Sequence, residues 1–268
     1  MLAGPGVLGS YLGKVWMERF PSAKVVGQTN SDTSHDRLRK LNIAPRTKDA
    51  AGSERFPFVV FSAPPSGSAD YVSEVKAALQ LWDGVGTFLY TGSAGIYATE
   101  DGSEVNECSA TAQLGKDDRT DRQILVEEAV LDAGGCVVRL AGLYHAQRGA
   151  HTFFLKMAKV GRWAGYTVNL IHYEDAAELA AAVRFYRGRV FLGADGVPLT
   201  FQEMMDATIA SGAYEGSVEF TGNESSNKGK LLNASTTRGA LQWTPRYSSY
   251  QAFMAAGAKD WYTESGLF

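Results

Sequence analysis

From Val7 to Phe20 the apolar residues Val7, Leu8, Tyr11, Leu12, Val15, Trp16 and Phe20 recur at helical spacing, and Lys14, Glu18 and Arg19 fall on the other side. That stripe predicts an amphipathic helix. A short strand is expected at Ala23 to Gly27 and a helical stretch at Asp36 to Leu41. The run Phe58-Val59-Val60-Phe61 reads as a buried strand stopped by Ser62-Ala63-Pro64-Pro65. The alternation continues with a helix at about Ala69 to Trp82, a strand at Thr87 to Thr91, a polar loop from Glu100 to Asp118, a helix at Thr120 to Ala133 and the apolar strand Cys136 to Leu140.

Strands alternating with helices predict a doubly wound α/β fold, a parallel sheet covered on both faces. Beyond Leu143 the pattern loosens into a loop around Gln147 to Ala150, a helix from Asp175 to Tyr186, a strand at Val190 to Leu192 and a mixed tail. The expected division is a core over residues 1–145 and a smaller C-terminal substrate lobe over 146–268, with about 175–192 returning to the core. Met204 and Met205, after Thr200, and the aromatics Trp243, Phe253, Trp261 and Tyr262 read as packing residues.

The 268 residues, 45% apolar and 21% charged, suit one globular body or two packed lobes. A net charge of −3 gives no basic excess for nucleic acid, and the longest apolar run, around Phe56 to Ala63, is too short to enter a bilayer as a span. Cys108 and Cys136 have no metal-ligand spacing and form no disulfide framework. The expectation is a soluble protein of a reducing compartment, cytoplasm or plastid stroma, without a metal. Only Met1-Leu2-Ala3 stands before the glycine loop, so the first strand is read as cut short and targeting stays open.

The chemistry begins at Gly4-Pro5-Gly6-Val7-Leu8-Gly9. In a G-x-G-x-x-G loop the first glycine makes a tight turn, the second lets backbone approach a pyrophosphate and the third lets the helix pack closely. The helix N-terminus, around Val7 and Leu8, then offers free N–H groups to phosphate. The expected ligand is a small-molecule nucleotide, NAD or NADP. About twenty residues on, where an acidic residue would hold both ribose hydroxyls, stand Gln28-Thr29-Asn30-Ser31. Without that acid nothing repels a 2′-phosphate, and Arg37 is near enough in sequence to approach one, so the balance favours NADP over NAD; a plain turn at Thr29 and Asn30 is the alternative.

The chain resembles the extended short-chain dehydrogenase/reductase superfamily, which includes sugar-nucleotide epimerases. The likeness rests on Gly4 to Gly9, on Phe88-Leu89-Tyr90-Thr91-Gly92-Ser93-Ala94-Gly95-Ile96-Tyr97, on Val138-Arg139-Leu140-Ala141-Gly142-Leu143-Tyr144, on Val168-Asn169-Leu170-Ile171-His172-Tyr173-Glu174-Asp175, and on Asn233 to Tyr247. Within the superfamily it is most similar to an atypical bacterial and plant-type branch of epimerase-like proteins. The resemblance implies a Rossmann-type fold and a cofactor site that adds Ser62, Ala63, Pro64, Thr91, Arg119 and Gln123 to the glycine loop, Thr29 and Asn30.

Typical members carry a Ser or Thr with a Tyr and a Lys four residues apart on one helix. Ser93 matches the serine, but the Tyr place falls on Arg119 and the Lys place on Gln123, and none of the twelve tyrosines has a lysine four residues later. Arginine stays protonated and cannot replace a tyrosine as acid and base; Arg119 suits an anionic group instead. Tyr97 and Tyr144 are the candidate substitute acids. His145, Arg148 and His151 are a candidate basic cluster for the anionic end of a substrate, with a plain solvated loop as the alternative. His172 and Asp175 read as structural, Asp175 and Glu178 as a helix cap. The readings left open are an NAD(P)-dependent oxidoreductase or epimerase with a non-standard site, and a non-catalytic nucleotide sensor or a subunit held by protein partners in a larger assembly.

Overall fold

A computed structural model describes residues 1–50, 52–66, 68–225 and 227–266. The first half contains strands β1 (Leu2–Ala3), β2 (Val26–Thr29), β3 (Ala44–Thr47), β4 (Phe56–Phe61), β5 (Trp82–Ser93) and β6 (Asp101–Val105), with helices α1 (Val7–Arg19), α2 (His35–Lys40), α3 (Tyr71–Leu79) and α4 (Asp118–Asp132). There follow β7 (Cys136–Leu140), β8 (Gly142–Tyr144), α5 (Ala150–Met157), β9 (Lys159–Trp163), β10 (Thr167–Val168), β11 (Leu170–His172), α6 (Tyr173–Ala182) and β12 (Val190–Gly193). The chain then forms β13 (Leu199–Thr200), α7 (Phe201–Ala210), β14 (Glu219–Gly222), β15 (Gly229–Leu232), α8 (Ser235–Leu241), α9 (Tyr250–Ala255) and α10 (Trp261–Glu264).

The chain divides into two compact units, each assembled from three segments. Unit 1 holds residues 1–96, 113–139 and 176–191, and unit 2 holds 97–112, 140–175 and 192–268.

Unit 1 is built on a seven-stranded sheet in the order β12-β7-β5-β4-β1-β2-β3. β1 pairs in parallel with both β2 and β4, β2 with β3 and β4 with β5. This is a Rossmann-like α/β sheet with the order reversing at β1, where a ligand crevice opens at the carboxyl ends of the strands. The strands read as continuous apolar runs because both faces are covered: Val59, Phe61, Phe88, Tyr90 and Val137 pack with Tyr71 and Val75 of α3 and Val126 and Val130 of α4. The edge strand β3, Ala-Pro-Arg-Thr, carries no apolar period and was not foreseen; its proline is tolerated because it lies at the sheet edge.

Unit 2 contains a four-stranded sheet, β13-β10-β15-β6, and two two-stranded ones, β11-β8 and β14-β9. The expected polar loop from Glu100 to Asp118 is corrected: its first part is β6, which pairs in parallel with β15. A mainly polar strand such as Asp-Gly-Ser-Glu-Val at a sheet edge leaves no hydrophobic alternation to read. Thr200 and Glu203 close a reciprocal capping box at the start of α7, whose Met204 and Met205 sit in a core with Phe154, Phe201, Tyr250 and Phe253. Among the described residues no helix is long and apolar enough to cross a membrane, and no group of three or more His, Cys, Asp or Glu side chains is placed to hold a metal ion.

Candidate functional site

The glycine loop in unit 1 is held from three sides. Gly4 adopts φ 73°, donates its N–H to the Gln28 carbonyl at 2.9 Å and accepts at its own carbonyl from Ser62 Oγ at 3.1 Å. A Cβ on Gly4 would lie 2.4 Å from that of Ala63, so only glycine fits. Arg37 of α2 donates to the Pro5 carbonyl at 2.9 Å and to Ser10 Oγ at 2.6 Å, tying the loop to the second βα crossover. Gly6 is exposed, and a Cβ there would meet nothing within 4 Å: the open space lies where backbone must approach a ligand closely.

A cleft of about 810 Å³ opens over this loop. Gly4, Gly6, Thr29, Asn30, Ala63 and Pro64, all expected from sequence, line it. Gly6 caps the N-terminus of α1 with no side-chain acceptor, so the first-turn N–H groups remain available to an anion. Val7 begins that turn, while Leu8 and Gly9 are buried behind it. Ser62 acts through the Gly4 carbonyl, and Thr91 through a hydrogen bond of 3.2 Å to the Phe61 carbonyl.

Two cations line the cleft, Arg37 and Lys48, and Lys48 pairs with Glu74 at 2.9 Å. Sequence reasoning missed Lys48 because it follows β3, the strand without a pattern. Thr29 Oγ1 lies 2.9 Å from His35 Nε2, so the end of β2 is more than a bare turn.

Ser93 ends β5, and its Oγ accepts from the Gly95 N–H at 3.1 Å. Gln123, expected from sequence at the lysine place, donates to the Ser93 carbonyl at 2.5 Å and to Glu127 Oε1 at 3.1 Å. Glu127 in turn receives two bonds from the Arg139 guanidinium, at 2.8 and 3.0 Å, and both side chains are buried. Burial pushes the Glu127 carboxyl upward against the pull of Arg139. A hydrogen-bonded chain Ser93–Gln123–Glu127–Arg139 thus runs from the end of β5 through α4 to β7, buried at Glu127 and Arg139 and half-buried at Ser93 and Gln123. Arg119, one turn before Gln123, is exposed.

The other candidate residues lie in unit 2. Tyr97 and Tyr144 are fully buried, and burial raises the Tyr144 phenol beyond useful acid strength. Tyr144 packs edge-on against His172, Tyr250 and Phe253. His145 and His151 are buried as well, and desolvation lowers both to about 4. At neutral pH they are uncharged imidazoles. Of the proposed basic cluster only Arg148 is exposed, beside Gly149, Lys156 and Tyr173 in a shallow pocket of about 590 Å³; its Nε donates to Tyr173 Oη at 3.1 Å.

Asp175, expected as a helix cap, lies inside the first turn of α6, and its two carboxylate oxygens accept from the Arg246 and Tyr247 amides, at 2.6 and 3.1 Å. Burial nevertheless drives it to about 7 and Asp195 to about 6. These groups give unit 2 a balanced pH response. The unfolded chain binds more protons than the folded one at His145 and His151 between pH 6.5 and 4, so stability falls on acidification there. Asp175 and Asp195 are protonated first in the folded chain, so their contribution grows as pH falls from about 7 toward 4. The intact chain should show a shallow profile, and His151→Gln should become more stable at pH 4.5 relative to pH 7 than the parent, as read from urea midpoints. An unchanged slope would contradict the burial of His151.

No family model and no curated protein sequence matches the chain. Solved structures do. A functionally unknown conserved protein from Silicibacter pomeroyi DSS aligns over 96% of both chains with TM-score 0.78 and 18% identity. UDP-glucuronic acid 4-epimerase from Bacillus cereus, in complex with NAD, covers 100% of this chain and 99% of its own, with TM-score 0.76 and 12% identity. dTDP-glucose 4,6-dehydratase from Bacillus anthracis str. Ames, also in complex with NAD, covers 99% and 96%, with TM-score 0.72 and 12% identity. The fold is that of NAD-dependent sugar-nucleotide epimerases and dehydratases. Identities this low establish likeness of fold alone, so what the epimerase-like fold does in this chain rests on its own residues.

Proposed function

We propose that the cleft of unit 1 binds a nicotinamide dinucleotide, NADP(H) in preference to NAD(H), and that the chain is an oxidoreductase or epimerase with a non-standard site. The observation that carries this reading is the exposed Gly6 backbone at the open N-terminus of α1, with Arg37 and Lys48 lining the same cleft. Gly4, Gly6 and the first turn of α1 hold the pyrophosphate, Ala63 and Pro64 flank it, and Thr29, Asn30 and Arg37 receive the adenosine end. No acid stands at the end of β2 to repel a 2′-phosphate. When bound, the dinucleotide supplies hydride transfer.

Calorimetry tests the binding. NADPH should bind more tightly than NADH, and Arg37→Ala should weaken NADPH by about 10- to 100-fold, the worth of a charge-assisted contact to phosphate, while changing NADH little. Equal losses for both would sink the 2′-phosphate assignment. On this reading Ser93 is the hydroxyl that meets a substrate; turnover across a panel of sugar nucleotides and small carbonyl compounds, abolished by Ser93→Ala, supports the enzyme reading.

The second reading is a dinucleotide-binding sensor or a structural subunit. Gln123 favours it, because its amide is committed to the Ser93 carbonyl and to Glu127 and supplies no proton at neutral pH. Tight binding of dinucleotide with no turnover on any substrate of the panel is its expected signature.

A further inference from the structure

The end of β3 stands beside the end of β2. Thr29 and Thr47 are partners in the ladder, and the Lys48 amide donates to the Thr29 carbonyl at 3.0 Å. Lys48 therefore leaves the sheet next to Thr29 and Asn30, at the end of the cleft assigned above to adenosine, and lines it. Glu74, in the first turn of α3, lines the same cleft, and its carboxylate meets the Lys48 ammonium at 2.9 Å. One ion pair thus links the β3 side of the cleft to the α3 side.

The neighbouring charges are held in place by other bonds. Arg37 is fixed through both terminal nitrogens, to Ser10 Oγ and to the Pro5 carbonyl. Asp70, also lining the cleft, caps α3: its carboxylate accepts from the Ser73 amide at 3.0 Å and from the Ser73 hydroxyl at 2.6 Å. Lys48 and Glu74 are different, with side chains 40% and 26% exposed. An ion pair so open to water contributes little to stability, and a doubly charged phosphate oxygen cluster is a stronger partner for an ammonium than one carboxylate. The pair can therefore exchange.

We propose that Glu74 is a built-in competitor for a 2′-phosphate: its carboxylate occupies the Lys48 ammonium until a dinucleotide carrying that phosphate takes its place. Lys48 is then a specificity-determining cation that changes partners, and Glu74 limits the discrimination that Lys48 confers. NAD(H) has a neutral hydroxyl at this position and brings no charge to displace the carboxylate, so the pair stays closed over it. The proposal rests on the dinucleotide reading of the cleft and adds to it the group against which the phosphate must compete.

Calorimetry with NADPH and NADH on the parent, Glu74→Gln, Lys48→Met and the double variant tests it. Glutamine keeps the length and helix propensity of glutamate, so α3 is retained. Glu74→Gln should raise the ratio of NADPH to NADH affinity by about 2- to 5-fold, the worth of an exposed ion pair no longer in competition. Lys48→Met should lower that ratio by about 10-fold, and in its background Glu74→Gln should have no further effect. If Glu74→Gln leaves the ratio unchanged or lowers it, or raises it equally without Lys48, Glu74 does not compete through Lys48 and the proposal falls while dinucleotide binding stands. If neither dinucleotide binds the parent or any variant, the reading of the cleft fails and the proposal with it.

Discussion

Replacing Glu127 by leucine is expected to cost unit 1 about 3–5 kcal/mol, because it leaves the Arg139 guanidinium buried without its carboxylate. The two side chains are 4% and 8% exposed, too little for water to take over the lost bonds. Burial pushes the Glu127 carboxyl upward despite its partner, and replacing both members of a buried ion pair by apolar side chains is often neutral. The double variant Glu127→Leu, Arg139→Met should therefore recover most of the loss. Urea unfolding of the parent, both single variants and the double variant checks this; additive losses would mean that the two groups act separately. In the same cycle Gln123 loses one of its two acceptors, and a change in the environment of Ser93 with the fold retained would show that this hydrogen-bonded chain positions the end of β5.

The second large effect separates two glycines of one loop. Gly4→Ala introduces a methyl group 2.4 Å from the Ala63 Cβ at φ 73°, and backbone must shift to relieve it. Dinucleotide affinity should fall by at least about 100-fold, with about 1–3 kcal/mol of stability lost to strain at the turn. Gly6→Ala meets open space and should leave Tm unchanged, yet its methyl group enters the cleft and should weaken the same ligand. Calorimetry with thermal unfolding on both variants distinguishes them. If Gly6→Ala binds NADPH as the parent does, the pyrophosphate does not lie over Gly6.

Much of unit 1 was legible because its sheet is buried on both faces. The strand Cys136 to Leu140 coincides with β7, and α1 and α4 begin within two residues of their expected starts. The failures have a common cause: β3 and β6 are edge strands with no apolar alternation, and β6 also pairs with a strand far along the chain. In the site, the glycine loop could be read because each glycine answers a backbone demand. His145 and His151 could not, since a sequence of basic residues does not say which are desolvated. Gln123 was located as the lysine place, but its bonds to the Ser93 carbonyl and to Glu127 depend on β5 and α4 lying side by side, which spacing alone does not specify.

The three-segment make-up of each unit also bears on how the chain is born. β5 is complete when residue 93 has left the ribosome, but its outer neighbour β7 begins only at Cys136. At ordinary rates of elongation the edge of β5 stays bare for several seconds. β7 then waits for β12, which starts at Val190. Through this interval the nascent chain displays open strand edges rich in valine, leucine and aromatic residues, the surface on which unwanted pairing begins. A fragment that stops after Leu140 would keep that edge permanently. Chaperone binding to stalled nascent chains should accordingly peak between the release of β5 and the arrival of β12.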